Sequence, residues 1–279
     1  MAPANRLTVF AATMTVVLAL SGQAQALVTA GELFVELDAR DPSAGTATWT
    51  NAGTLDDFTE SGDPVLDVFG PKSNPGVYFD GINDYYQGSE APPGLIGNSD
   101  RTIEAWVYNP EVPDNETIVA WGKRGGPDGS NMSFNYGSHA AWGAAEHWGA
   151  PDIGWNGAPE AGEWHHLVYT YDGTTTRVYA DGILKNWEDL TSMPLNTHDE
   201  TLITLAAQID SDGVTVTDGL RGSLAIAQLR IHDGVLSEQD ILSNYREGVG
   251  RFIPAPAGFL LGAIGVGLVG WLRRWQTER

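Results

Sequence analysis

Apolar and polar positions alternate with a period of two in several short stretches of this chain. Between Thr102 and Tyr108, Ile103, Ala105 and Val107 fall on one face, and between His166 and Tyr171 the set is Leu167, Tyr169 and Tyr171. Such alternation predicts strands with one face in a core. Arg177 to Ala180 follows a short Asp172-Gly173 turn region, which is a hairpin pattern. Asp-Gly occurs seven times, beginning at Asp80, Asp128, Asp172, Asp181, Asp212, Asp218 and Asp233. The pair suits turns because glycine accepts positive φ and aspartate bonds its own backbone. Short strands separated by these turns predict an all-β sandwich or jelly roll. One helix is expected late in the chain. Ser237 is its N-cap, Asp240 its third helical position, and Leu236 can staple to Ile241. Ile241, Leu242 and Tyr245 form its apolar stripe, and Gly248 is the expected stop.

Two apolar runs break the alternation, one at each end. Leu7 to Leu20 is 14 uncharged residues behind Arg6, followed by Ala24-Gln25-Ala26. A short positive region, an apolar stretch and a small-x-small site predict a secretory signal peptide over 1–26, with the mature chain starting at Leu27. Ala257 to Leu272 carries no charge for 16 residues, and Arg273-Arg274 follow at once. With Phe252-Ile253 extending the run, 252–279 is expected to hold a membrane helix and a basic inner end, with the body outside.

Charge and cysteine content narrow the function classes. Residues 27–251 carry 35 acidic and 11 basic residues, a net of −24, so binding to nucleic acid or anionic lipid is disfavoured by repulsion. The chain has no cysteine, which excludes disulfides, thiol catalysis and Cys-ligated zinc. No break in composition divides the body, and 200–250 residues suit one sandwich domain.

Pro254-Ala255-Pro256, the glycine-rich apolar run and the terminal arginines resemble a PEP-CTERM-type sorting signal, with Ala255 where that family has glutamate. The resemblance implies an exosortase-type sorting partner in the membrane. Four segments of the body resemble a laminin-G-like, concanavalin A-like jelly roll: Gly76 to Tyr85, Arg101 to Val107, Gly162 to Gly173 with Arg177 to Gly182, and Leu229 to Ile241. That resemblance implies a fold shared by lectins, adhesins, glycosidases and lyases, so function has to be argued from a site. It also implies a calcium ion held by an early turn, where Asp80, Asn83 and Asp84 stand. The Asp-Glu pair that such domains carry on the closing strand is replaced by Ala227 and Gln228.

Gly137 to Glu160 is the most unusual stretch. It holds Trp142, Trp148, Trp155, His139, His147, Asp152 and Asn156 among many glycines. Flat aromatic faces stack on sugar rings, and Asp, Asn and His orient hydroxyls. The set Trp142, His147, Trp148, Asp152, Trp155 and Asn156 is therefore the candidate ligand surface, unless the tryptophans fold inward as a lid on the sandwich end. Asp210-Ser211-Asp212-Gly213 is an oxygen-rich turn without the further ligands of a calcium loop. Glu36 and Asp38 share a strand face, as paired glycosidase carboxylates do, but Arg40 stands where a third acid would be needed. His165 and His166 are adjacent on a strand and point to opposite faces, which spoils a shared metal site. The expectation is an exported, non-enzymatic module that binds an extracellular glycan or polysaccharide. A purely structural envelope protein and a polysaccharide-active enzyme are the alternatives.

Overall fold

The computed structural model describes residues 27–217 and 219–254. The expected signal peptide (1–26) and the expected membrane helix within 252–279 lie almost wholly outside the described residues. Among those described, no helix is long and apolar enough to cross a membrane.

The strands are β1 (Leu33–Asp38), β2 (Thr48–Trp49), β3 (Phe58–Ser61), β4 (Val65–Phe69), β5 (Asn74–Tyr78), β6 (Tyr85–Glu90), β7 (Arg101–Tyr108) and β8 (Thr117–Gly122). They continue as β9 (Asn131–Asn135), β10 (Ala145–Glu146), β11 (Trp164–Tyr171), β12 (Thr175–Ala180), β13 (Ile183–Asp189), β14 (Leu202–Leu205) and β15 (Ala225–His232), before the helix α1 (Glu238–Phe252). Two antiparallel sheets form. One runs β13-β12-β11-β7-β15-β5-β4 with β1 also on β15, and the other runs β10-β9-β8-β14-β6-β3-β2. This is the jelly-roll sandwich that the alternation predicts.

The predicted inward sets meet in register, Leu167 opposite Ala105 and Tyr169 opposite Ile103. They join one core with Trp121, Phe134 and Leu205 from the facing sheet. The Asp172-Gly173 hairpin joins β11 to β12, and the Asp172 carboxylate accepts the N–H groups of Thr174 and Thr175.

The outer face of the first sheet is covered by α1. Its capping box forms as expected, with Asp240 N–H donating to Ser237 Oγ and Ser237 N–H donating to Asp240 Oδ2. Leu236 and Ile241 pack together on Val168 and Tyr179. Gly248 does not end the helix, which runs to Phe252, one residue past the expected boundary at 251. The gain is aromatic burial, because Phe252 stacks on Trp106 at 4.3 Å and 17°. Gly248 serves that stack by its lack of a side chain, since a Cβ there would sit 2.4 Å from the Trp106 ring.

The outer face of the second sheet is sealed in its middle by the segment after β14. Gln208 bonds Thr117 and Asn131, and Thr117 Oγ1 donates to Leu220 O. Open concave surface is left at the end of the sandwich, beside the loop between β9 and β11.

Candidate functional site

The loop is built on its own backbone. Gly137 N–H donates to Gly143 O, and Gly143 N–H donates back to His139 O. Gly154 closes on this turn so tightly that a Cβ would lie 2.0 Å from Ala140 O, so only glycine fits.

The six candidate residues separate into an inner and an outer group. His147 is fully buried, with Nδ1 2.6 Å from Pro151 O and Nε2 2.9 Å from the Tyr169 hydroxyl. Burial chiefly pushes its pKa down to about 4. Trp155 is also buried, donates from Nε1 to Gly143 O and packs on Phe134. These two fill the end of the sandwich, as the inward-lid alternative expects. Asp152 accepts the His147 N–H at 2.6 Å, and burial raises its pKa to about 7.

The outer group faces solvent. Trp142 is 37% exposed and lies parallel to the His139 ring. Asn156 is exposed at a positive φ of 54°. Trp148 is half-buried, also at positive φ, beneath the Arg124 guanidinium at 5.2 Å.

A cleft of about 460 Å³ opens between these parts, lined by Ser138, His139, Ala140, Trp155, Asn156, Gly157, Ala158 and Asn186. That volume lies within the range of small-ligand sites. Asn186 was not foreseen. It stands on β13, about 30 residues after the loop, and its Nδ2 donates to Gly154 O at 2.9 Å. Only the pairing of β13 with β12 brings it there, and no local pattern signals that.

Most of the remaining candidates carry hydrogen bonds of the scaffold. Asp80 Oδ1 accepts the N–H groups of Ile82 and Asn83. Asp84 accepts those of Asp63 and Asp80, and Asn83 is exposed. Among the described residues no three His, Cys, Asp or Glu side chains are grouped to hold a metal ion. The Asp212 carboxylate likewise accepts Val214 and Thr215 N–H. Asp38 is bound by Arg40, Arg251 and Gln228. Burial works to raise its carboxyl, and those donors overrule it and hold the pKa at about 2. Glu36 lies 3.7 Å from Arg230. His165 and His166 do point apart, His165 to Asp181 and His166 to Glu104.

A second hollow, about 270 Å³ beside α1, is lined by Glu104, Trp106, His166, Arg230, Asn244 and Arg251 among others. Its charged groups are already engaged with one another, which leaves less for a ligand than the cleft offers.

The sandwich, its closing helix and the order of its motifs agree with a family match over residues 80–242, to the Laminin_G_3 group of the concanavalin A-like lectin/glucanases superfamily. The chain belongs to this family. No curated protein sequence matches it significantly. Among solved structures, domain 4 of an extracellular arabinanase from Geobacillus stearothermophilus, in complex with arabinotriose, aligns with a TM-score of 0.54 at 16% identity, covering 77% of this chain and 99% of that one. The binding domain of botulinum neurotoxin serotype D aligns at 0.51 and 12%, covering 78% and 52%. A Trypanosoma rangeli sialidase in complex with the inhibitor DANA aligns at 0.52 and 17%, covering 76% and 32%. The laminin-G-like chain thus spans nearly all of the arabinanase domain, about half of the toxin domain and a third of the sialidase. At these identities the likeness is one of fold.

Proposed function

We propose that this protein is an exported, surface-sorted, non-enzymatic module that binds a glycan through the cleft beside Trp142. The carrying observation is the solvent-facing Trp142–His139 stack on the rim of a concave, uncharged cleft that also presents Ser138, Asn156 and Asn186. An aromatic face with nearby amide and hydroxyl groups suits a sugar ring, whose apolar face stacks while its hydroxyls bond. The arabinanase domain, a structural neighbour solved with arabinotriose, supports a carbohydrate ligand for this fold. The signal peptide and sorting tail read from the sequence support export, with a membrane or exosortase-type partner at the C-terminus.

The test is a glycan-binding screen of the full chain with and without EDTA, alongside Trp142→Ala. Binding that Trp142→Ala weakens at least tenfold is expected, and loss in EDTA would point to calcium. Absence of binding in both arms overturns the proposal. Mass spectrometry of the exported protein reads the tail, since an intact Arg279 contradicts processing by a sorting protease.

A further inference from the structure

The helix α1 carries the chain toward one edge of the first sheet. It starts over Val168 and Tyr179, on β11 and β12, and ends over Trp106 and Trp164. Its last turn is fastened to the β4–β5 hairpin. Lys72, in the turn between those strands, donates from Nζ to Gly250 O at 2.6 Å. Trp164 Nε1 donates to Phe69 O at 3.1 Å, and its ring lies 5.2 Å from that of Phe252. Ile253 packs on the same aromatic cluster as Phe69, Tyr78 and Tyr108. The described chain therefore ends, at Pro254, beside this hairpin.

Strand β4 is an edge, paired only with β5. It exposes three apolar side chains, Val65 at 50%, Leu66 at 45% and Val68 at 56%. An apolar edge invites a further strand, but this one is blunted, because Val68 N–H is held by Asp67 Oδ1 at 2.8 Å.

The chain itself brings a different apolar partner to this edge. Only Pro254, Ala255 and Pro256 separate Ile253 from the uncharged run Ala257 to Leu272, a reach of about 14 Å at most. Phe252 is committed to its stack on Trp106, so it does not lengthen that run. Sixteen residues make about 24 Å as a helix, less than the roughly 30 Å of a bilayer's hydrocarbon core. A run that short has no slack, and the end of the body from which it leaves is drawn down to the headgroups.

Resting on the reading that the tail enters a membrane, we infer that the β4 edge lies on that membrane, with Val65, Leu66 and Val68 at the boundary of headgroups and acyl chains. Asp67 between them keeps the strand at headgroup level. The lipid is a zwitterionic phospholipid, since an anionic surface repels a body of net charge −24. One consequence concerns the cleft. Its residue Asn186 stands on β13, the opposite edge of the same sheet, six strand spacings or about 29 Å away. Docking through β4 thus holds the cleft away from the bilayer.

The chain has no cysteine, so single substitutions each place one label on the full protein. Val65→Cys and Val68→Cys are compared with Ile183→Cys on β13 and Val214→Cys, all four at exposed side chains. Each carries a polarity-sensitive fluorophore and is reconstituted in phosphatidylcholine vesicles. Blue-shifted emission and roughly threefold weaker quenching by acrylamide are expected at 65 and 68, and not at 183 or 214. Quenching at 65 and 68 equal to that of the controls overturns the inference and leaves the tail anchor standing. Protection that fades as the lipid-to-protein ratio rises assigns the edge to a second copy and also overturns it. Protection in phosphatidylglycerol vesicles but not in phosphatidylcholine overturns the lipid class. If the parent chain does not float with vesicles, the anchor reading fails and this inference falls with it.

Discussion

Asn244 of α1 donates its side-chain amide to both carboxylate oxygens of Glu104 on β7, at 3.0 and 2.8 Å. Glu104 is 3% exposed and also meets Arg230 at 3.1 Å, His232 at 3.2 Å and His166 at 3.4 Å. His232 Nδ1 accepts the Ala30 N–H, so its ring proton sits on Nε2, facing the carboxylate. Burial alone would raise the Glu104 pKa, but the two histidines and the Arg230 charge hold it well below the usual range. The same Asn244 clamps Val28 through both its N–H and its carbonyl. One buried carboxylate thus ties the helix, the central strands and the first described residues together.

Glu104→Gln is expected to destabilise the domain by about 3–5 kcal/mol, because it removes the buried counter-charge of Arg230 and leaves only the more distant, exposed Glu36. Asn244→Ala should lose less, about 1–3 kcal/mol, since it removes hydrogen bonds from a carboxylate that keeps its arginine. Urea unfolding midpoints measure both, and an Asn244→Ala loss as large as that of Glu104→Gln would contradict this ranking.

Gly248→Ala tests the helix–sheet contact with a sign that propensity alone gets wrong. In an exposed helix interior the change stabilises by about 1 kcal/mol. Here the new methyl would lie 2.4–2.5 Å from three atoms of the Trp106 indole, itself wedged against Phe252 and Tyr245. Overpacking of that kind costs about 1–3 kcal/mol, so a net loss of stability is expected in thermal unfolding.

This glycine also shows where the sequence stops being informative. Ile103, Leu167 and Tyr169 were legible as core because period-two alternation is a local signal, and Ser237 and Asp240 were legible because a capping box spans only four residues. Gly248 looked like a helix stop because its partner, Trp106, lies 142 positions earlier. The candidate site divided in the same way. The aromatic density of 137–160 marked the right loop, but which tryptophan turns inward depends on the cavity over Phe134 and Tyr169. Asn186 reaches the cleft only through sheet order, which no stretch of the loop encodes.

Stability should carry two opposing pH trends. Burial raises Glu116 from 4.5 to about 7, although Ser223 donates to it from both N–H and Oγ. Between those values the unfolded chain has released the proton and the folded one retains it, so stability falls as pH rises and levels off above about 7. His147, lowered from 6.5 to about 4 by burial, acts the other way, and its contribution is lost as pH falls through that window. Asp152, raised from 3.8 to about 7, adds to the first trend. Glu116→Gln mimics the protonated acid and removes only the Glu116 share of that trend. Its stability relative to the parent should rise from pH 4.5 to 7 and then plateau at about 3 kcal/mol. Urea titrations at pH 4.5, 6 and 8 check this, and a difference that stays flat across them contradicts it.

Trp142 and Trp155 sit 13 positions apart in one loop, and their alanine variants should fail in different ways. Trp155 is 2% exposed, fills the sandwich end over Phe134 and gives its indole N–H to Gly143 O. Removing it leaves a large cavity and an orphaned carbonyl, an expected loss of about 3–5 kcal/mol. Trp142 rests on His139 at the surface and lies outside the buried core, so its removal should change stability by about 1 kcal/mol or less. Glycan affinity should reverse the order at temperatures where both variants are folded, with Trp142→Ala the weaker binder. Paired thermal unfolding and titration separate the two roles. A Trp142→Ala variant that unfolds as early as Trp155→Ala would make Trp142 part of the lid, and a Trp155→Ala variant that is folded but binds least would move the contact surface inward to the cleft floor.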